Sequence, residues 1–241
     1  HALDDEALSG SLAETLAAAG YATAAFTPVR LLDASSGLAQ GFASYTAPDA
    51  HHLPADRVAP GALDWLAKRD PQKPFFVWLH LFDPHLPYAP PAQYAPGDGP
   101  AEISWKSLLA SANEHDGDVP QATFDRALEL YAGEVAYVDH WVGEIVAKLD
   151  ALGVLDDTIL VFTADHGECF GDPHPTWGHG FRLFDEGLRV PLVLWNPRLF
   201  PKGKRKATVG GHVDVSPTIL DVLALPSPPA WEGTSLLEKR R

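Results

Sequence analysis

Two apolar runs constrain this chain most, because each passes directly into a cluster of acids and imidazoles. Phe75-Phe76-Val77-Trp78-Leu79 leads into His80 and then Asp83-Pro84-His85. Ile159-Leu160-Val161-Phe162 leads into Thr163-Ala164-Asp165-His166-Gly167-Glu168. A continuous apolar run without polar alternation predicts a strand buried on both faces, as in a sheet covered by helices. Ligands in open α/β sheets gather at the carboxyl ends of strands. Two strand ends carrying Asp and His at one sheet edge are therefore expected to converge on one site.

The rest of the pattern agrees with an α/β layer. Ser11 and Glu14 form a capping box; Leu12, Leu16 and Ala19 line the helix that follows, and Gly20 stops it. Tyr21 to Phe26 reads as a strand, followed by a loop to about Pro60 and a short helix from Gly61 to Lys68. Residues 89–120 read as a long loop with a short helix near Trp105 to Ala110, and such an excursion is often a substrate loop. From Ala122 to Leu152, Tyr131, Val135, Val138, Val142, Ile145, Leu149 and Leu152 recur at three- or four-residue steps, which predicts a helix ended by Gly153. Thr158–Thr163 and Val190–Trp195 read as strands. Ser216-Pro217 reads as an N-cap with a first-turn proline. The alternation predicts one α/β domain over residues 1–241 with a mostly parallel sheet.

Asp165 and His166 offer an oxygen and a nitrogen that can both bind a divalent metal. On a strand, neighbours point to opposite faces, so sharing an ion requires the backbone to turn, and Gly167 makes a turn easy. The alternative is a loop cap beside a satisfied histidine. His179, between Gly178 and Gly180, suits proton transfer or hydrogen bonding to an anion, or else is a solvated loop residue. His85 lies among prolines that fix its direction, which suits a leaving-group acid and equally a rigid loop. His80 is read as facing the sheet layer and His174 as loop.

Charge sharpens the question. Thirty-two acidic against eighteen basic residues give a net charge of -14. That argues against nucleic acid as a partner, since phosphate contacts need a basic face. It would also repel an anionic substrate unless a bound divalent cation reversed the local sign. The single cysteine, Cys169, excludes an internal disulfide and a Cys-rich zinc cage. No apolar stretch approaches the roughly 18 residues of a membrane span. The chain has no Met and is expected to be a piece of a longer protein.

Five stretches in order, "FFVWLHLFDPHLPYAPP", "YAGEVAYVDHWVGEIVAKLDALGVLDDTILVFTADHGE", "WGHG", "FDEGLRVPLVLW" and "HVDVSPTILDVLALP", resemble the sulfatase branch of the alkaline phosphatase superfamily. The early "LAETLAAAGYATAAF" fits as well. The resemblance implies a three-layer alkaline-phosphatase-like α/β fold, incomplete at its N-terminus. It places Asp165 and His166 on two metal ligands, His85 on the histidine at the transferred group or leaving oxygen, and His179 on a second basic residue near the anion. Tyr131, Glu134, Tyr137 and Asp139 fall on packing and hydrogen-bonding positions, and Arg189 on a structural one. The implied cofactor is one divalent metal, Ca first, with Mn or Zn as alternatives. The implied substrate is a small anionic ester.

Such enzymes carry a nucleophile in Cys- or Ser-x-Pro-x-Arg, converted to formylglycine in true sulfatases. Phe26-Thr27-Pro28-Val29-Arg30 has the spacing with Phe26 in the nucleophile's place, and Cys169 lacks both Pro and Arg. The nucleophile, any formylglycine and the remaining ligands are therefore expected in a preceding segment. This chain alone would then be inactive, with exposed apolar surface and a tendency to self-associate. No Lys lies between Asp165 and Arg189, which weights phosphate or phosphonate over sulfate. The alternatives are a phosphoglycerol- or phosphoethanolamine-type transferase and a degenerate non-catalytic relative.

Overall fold

The structure, a computed structural model, describes residues 10–49, 52–115, 118–171, 176–180, 182–206 and 210–237. Helix α1 (Leu12–Ala18) starts as its capping box dictates: the Ser11 hydroxyl accepts the Glu14 N–H, and the Glu14 carboxylate accepts the Ser11 N–H. Its buried residues are Ala13 and Leu16, whereas Ala19 is exposed. Strand β1 (Ala22–Phe26) then runs parallel to β2 (Ser44–Thr46) on one side and β3 (Phe75–Leu79) on the other. Register is set by Ala24 opposite both Ser44 and Val77.

Helix α2 (Ala55–Lys68) covers one face of this sheet. Ala24 and Phe26 of β1 pack with Val58 and Ala62 of α2, joined by Val77, Leu79 and Ile145. Phe76 and Trp78 meet Phe42 at ring separations of 5.6 and 6.2 Å. All five β3 residues are nonetheless half-buried, not sealed as an interior strand would be, because β3 is an edge of this three-stranded sheet.

Helix α2 begins six residues earlier than Gly61, on the far side of Pro60. A proline normally ends a helix by removing an N–H, but here the helix is held from outside. Its first amides are capped at long range: Ala55 N–H donates to Asp83 Oδ1 at 3.0 Å and Asp56 N–H to the Tyr137 hydroxyl at 3.1 Å. No local signal announces partners 28 and 81 residues away.

After helix α3 (Trp105–Glu114) comes the 31-residue α4 (Gln121–Ala151). Its buried residues are Phe124, Ala127, Leu130, Gly133, Glu134, Tyr137 and Leu149; of the apolar series that predicts the helix, Leu149 is buried and Tyr131 and Ile145 pack against the core, whereas Val135 is exposed. In its N-terminal half the buried face includes Gly133 and Glu134 because the chain from Ala89 to Pro100 lies across α4. A side chain at Gly133 would put its Cβ 2.4 Å from the Tyr94 carbonyl oxygen. Arg126 donates to the carbonyls of Pro96 and Pro100.

Strands β4 (Leu160–Thr163) and β7 (Leu192–Trp195) pair antiparallel in a sheet of their own; the short β5 (Cys169–Phe170) and β6 (Trp177–Gly178) form a hairpin between them, followed by α5 (Asp185–Leu188). The mostly parallel arrangement thus holds for β1–β3, while the described β4–β7 pair is antiparallel. Phe162 and Val193 remain 43% and 49% exposed. Helix α6 (Val215–Val222) starts after Asp214, not at Ser216, and Pro217 lies inside it. Asp214 is buried and accepts the N–H groups of Gly211 and Thr234, which fixes the chain on both sides.

Glu134 is 4% exposed; Oε1 accepts the Ala89 N–H at 2.8 Å, and Oε2 has no protein partner among the described residues. Burial first, helped by the nearby Asp83, pushes its pKa from 4.5 up to about 8. Between those values the folded chain keeps a proton that the unfolded chain has released, so stability falls as pH rises through that window. Glu134→Gln keeps the neutral shape without the ionisation. Its thermal midpoint should drop less than wild type's between about pH 5 and about pH 9. Parallel curves for the two proteins would contradict the assignment.

Candidate active site

The loops that leave β3 and β4 meet. His166 and His179 stack with ring centroids 3.8 Å apart at 25°, and His85 meets His179 edge-on at 5.1 Å. Asp165 adjoins this group, with Oδ2 3.8 Å from His166 Nε2. All four predicted site residues thus fall in one place. His174 lies outside the described residues.

Each imidazole is held by its Nδ1. The His85 Nδ1–H donates to the Leu86 carbonyl at 2.7 Å, and the His166 Nδ1–H donates to the Gly167 carbonyl at 2.8 Å. A carbonyl only accepts, so these bonds place the proton on Nδ1 and leave Nε2 with its lone pair in the neutral ring. Phe82 stacks on His85 at 4.2 Å and fixes the ring plane. Burial, ahead of the neighbouring His179 and His166, holds His85 below the usual imidazole pKa. His80 is also held down by burial, against the pull of the Asp165 carboxylate.

The backbone achieves this by close approach at Gly167. Its N–H donates to the Gly187 carbonyl at 2.8 Å, and a Cβ there would sit 1.9 Å from the Glu186 carbonyl oxygen. The glycine is required by contact with α5, rather than by the turn its sequence context suggests.

His179 is held differently. Its Nδ1 lies 3.1 Å from Glu168 Oε1, and the Tyr88 hydroxyl donates to Glu168 Oε2 at 2.9 Å. The Glu168 side chain is 5% exposed. Burial, reinforced by Glu168, pushes the Tyr88 phenol far above its usual pKa, so it remains a donor. Glu168 carries no spacing signal of its own; its position directly after Asp-His-Gly at a strand end is the one clue the sequence offers.

Asp83 belongs to the scaffold: Oδ1 caps α2, and burial raises its pKa. Phe26 is buried in β1, and Thr27 is buried with its hydroxyl directed at the Leu32 and Thr46 carbonyls. Cys169 is buried, and its thiol pKa is raised. None of these can serve as an exposed nucleophile. Arg189 is exposed and pairs with Asp185 at 3.7 Å, which is less than the structural role expected of it.

Asp165 and His166 fit a divalent metal in part. Two donors bound to one ion by contacts of about 2.0–2.6 Å stand about 3–4 Å apart. The observed oxygen-to-nitrogen separation of 3.8 Å is compatible with that. The Asp165 side chain is 70% exposed and accepts the His166 N–H through Oδ1. Among the described residues no group of three or more His, Cys, Asp or Glu could hold an ion, so this pair is an incomplete shell.

Imidazoles and a carboxylate beyond the ends of β3, β4 and β6 in an α/β scaffold define the class of protein: one with a polar site where strand-end loops meet. The particular family follows from comparison. The Sulfatase family model matches residues 9–225, and the chain belongs to the sulfatase family of the alkaline phosphatase superfamily. It is 30% identical over 199 residues to an arylsulfatase of Clostridium perfringens, covering 76% of this chain and 41% of that protein. It is 32% identical over 203 residues to the multifunctional alkaline phosphatase superfamily protein PehA of Trinickia caryophylli, covering 73% and 39%. The chain thus spans about two-fifths of the length of these curated relatives. The phosphonate monoester hydrolase of Agrobacterium radiobacter shares the fold with a TM-score of 0.72 at 22% identity, over 93% of this chain and 60% of that one.

The hairpin that carries His179 rests on the 89–120 segment. Trp177 meets Trp105 of α3 at 4.1 Å, and Tyr88, Ile103, Leu108 and Leu130 form the core beneath. An aromatic pair contributes about 0.5–1.5 kcal/mol beyond burial. Trp105→Ala should lower the thermal midpoint and speed amide exchange at residues 168–170 and 177–180. Unchanged exchange there would show that the hairpin stands without this support.

Proposed function

We propose that the protein containing this chain hydrolyses sulfate, phosphate or phosphonate esters at the site framed by His85, Asp165, His166 and His179. The ring contacts that join loops from two strand ends are the observation that carries this reading. The activity named for the arylsulfatase and the superfamily named for PehA support it.

Asp165 and His166 would hold a divalent metal, Ca first and Mn or Zn as alternatives, with other ligands completing the shell. When bound, such an ion supplies positive charge that polarises ester oxygens. His85 lies at the leaving oxygen. Its depressed pKa keeps it neutral in the free site; an anionic ester beside it favours the charged ring and so readies it to give a proton. When its ring carries both protons, His179 steadies the nonbridging oxygens as a positioned donor from Nε2, with its Nδ1–H held by Glu168. The attacking oxygen comes from outside the groups described, with formylglycine or a hydroxyl as its chemical form. Residues 89–120 form a wall of the substrate cleft through their contact with the hairpin. The substrate is a small anionic ester.

Asp165→Ala in the full protein should abolish ester hydrolysis and lower bound metal by elemental analysis; unchanged metal would remove this carboxylate from the shell. General acid assistance contributes about 100- to 10,000-fold. His85→Ala should therefore slow esters with poor leaving groups by about that range and spare activated ones. An equal loss across a leaving-group series would count against its role as the acid.

A further inference from the structure

We infer that Glu168 is a positioning residue: it fixes His179 as the Nδ1–H tautomer and leaves Nε2 as the nitrogen free for chemistry. This deepens the ester-hydrolase reading and rests on it for the role of His179. The tautomer itself rests on geometry alone.

The buried Glu168 carboxylate sits between two loops of different origin. Tyr88 follows β3, His179 follows β6, and Glu168 follows β4. A buried carboxylate is costly unless its oxygens are hydrogen-bonded. Oε2 takes the Tyr88 O–H. Oε1 of the ionised acid faces His179 Nδ1 at 3.1 Å and can only accept, so Nδ1 carries the proton. The bond made by one ring nitrogen decides the state of the other. In the neutral ring Nε2 then keeps its lone pair, and it takes no protein partner among the described residues. An outer partner of this kind also raises the basicity of the nitrogen it leaves free.

Replacing the acid by an amide reverses this logic. In Glu168→Gln the Tyr88 hydroxyl still needs an acceptor, since leaving a buried donor unmade is expensive. The amide oxygen turns toward Tyr88 and the NH2 group toward His179. Nδ1 becomes an acceptor, and the proton moves to Nε2. In Tyr88→Phe the carboxylate stays, and Nδ1 keeps its proton.

The test is a 15N spectrum of histidine-labelled full protein without substrate, at about pH 9 where imidazoles are neutral. The His179 resonance, assigned by its loss in His179→Ala, should show a protonated Nδ1 in wild type and Tyr88→Phe, and a protonated Nε2 in Glu168→Gln. In the amide variant kcat for ester hydrolysis should fall by about 100- to 10,000-fold, with KM changed far less. A protonated Nε2 in wild type, or an unaltered tautomer in Glu168→Gln, overturns the inference. If the amide variant fails to fold, the wild-type spectrum decides. Because that spectrum needs no turnover, a correct tautomer with no ester hydrolysis would fault the reaction assigned and leave the positioning intact.

Discussion

The site depends on one buried carboxylate that must find partners. Glu168 is enclosed, and the groups that satisfy it, Tyr88 and His179, arrive from different parts of the chain. Satisfying it draws the loop after β3, the loop after β4 and the β5–β6 hairpin to one point. The ring contacts from His85 through His179 to His166 follow from that convergence. The histidine cluster is therefore an outcome of burial and hydrogen bonding between loops whose strands, β3 and β4, lie in separate sheets among the described residues, rather than at one sheet edge.

A second layer of buried acids supports the first. Asp83 lies two residues before His85 and spends its oxygen on the first turn of α2, while Glu134 holds the Ala89 N–H just beyond Tyr88. The short stretch from Asp83 to Ala89 is thereby pinned at both ends, with His85 and Tyr88 between. Such rigidity suits a loop whose side chains must present one face to a ligand. It also explains why Glu134, far from the reacting groups, belongs to the same assembly.

Much of this was legible in the sequence wherever the determinant was local. The Ser11–Glu14 cap, the stops at Gly20 and Gly153, and the strands ending in acid and imidazole clusters depend on residues within a few positions of one another. The partners of α2 and of Glu168, and the Thr234 N–H that Asp214 accepts, lie from 11 to 81 residues away, and no period or short motif encodes them. Pro60 illustrates the limit: its local meaning is a helix boundary, and distant hydrogen bonds to the first turn override it. Along the first half of α4 the buried face was likewise set by the segment packed on it, while Ile145 and Leu149 of the apolar series face the core as their spacing suggests.

The central claim is that His85 and His179 face one oxyanion held beside Asp165 and His166. The most direct test is a crystal structure of the full protein with its metal and an inorganic oxyanion such as vanadate. The account predicts the anion within hydrogen-bonding reach of His85 and His179, with Asp165 and His166 coordinating the ion next to it. An anion bound elsewhere, or a metal that ignores Asp165 and His166, would contradict it.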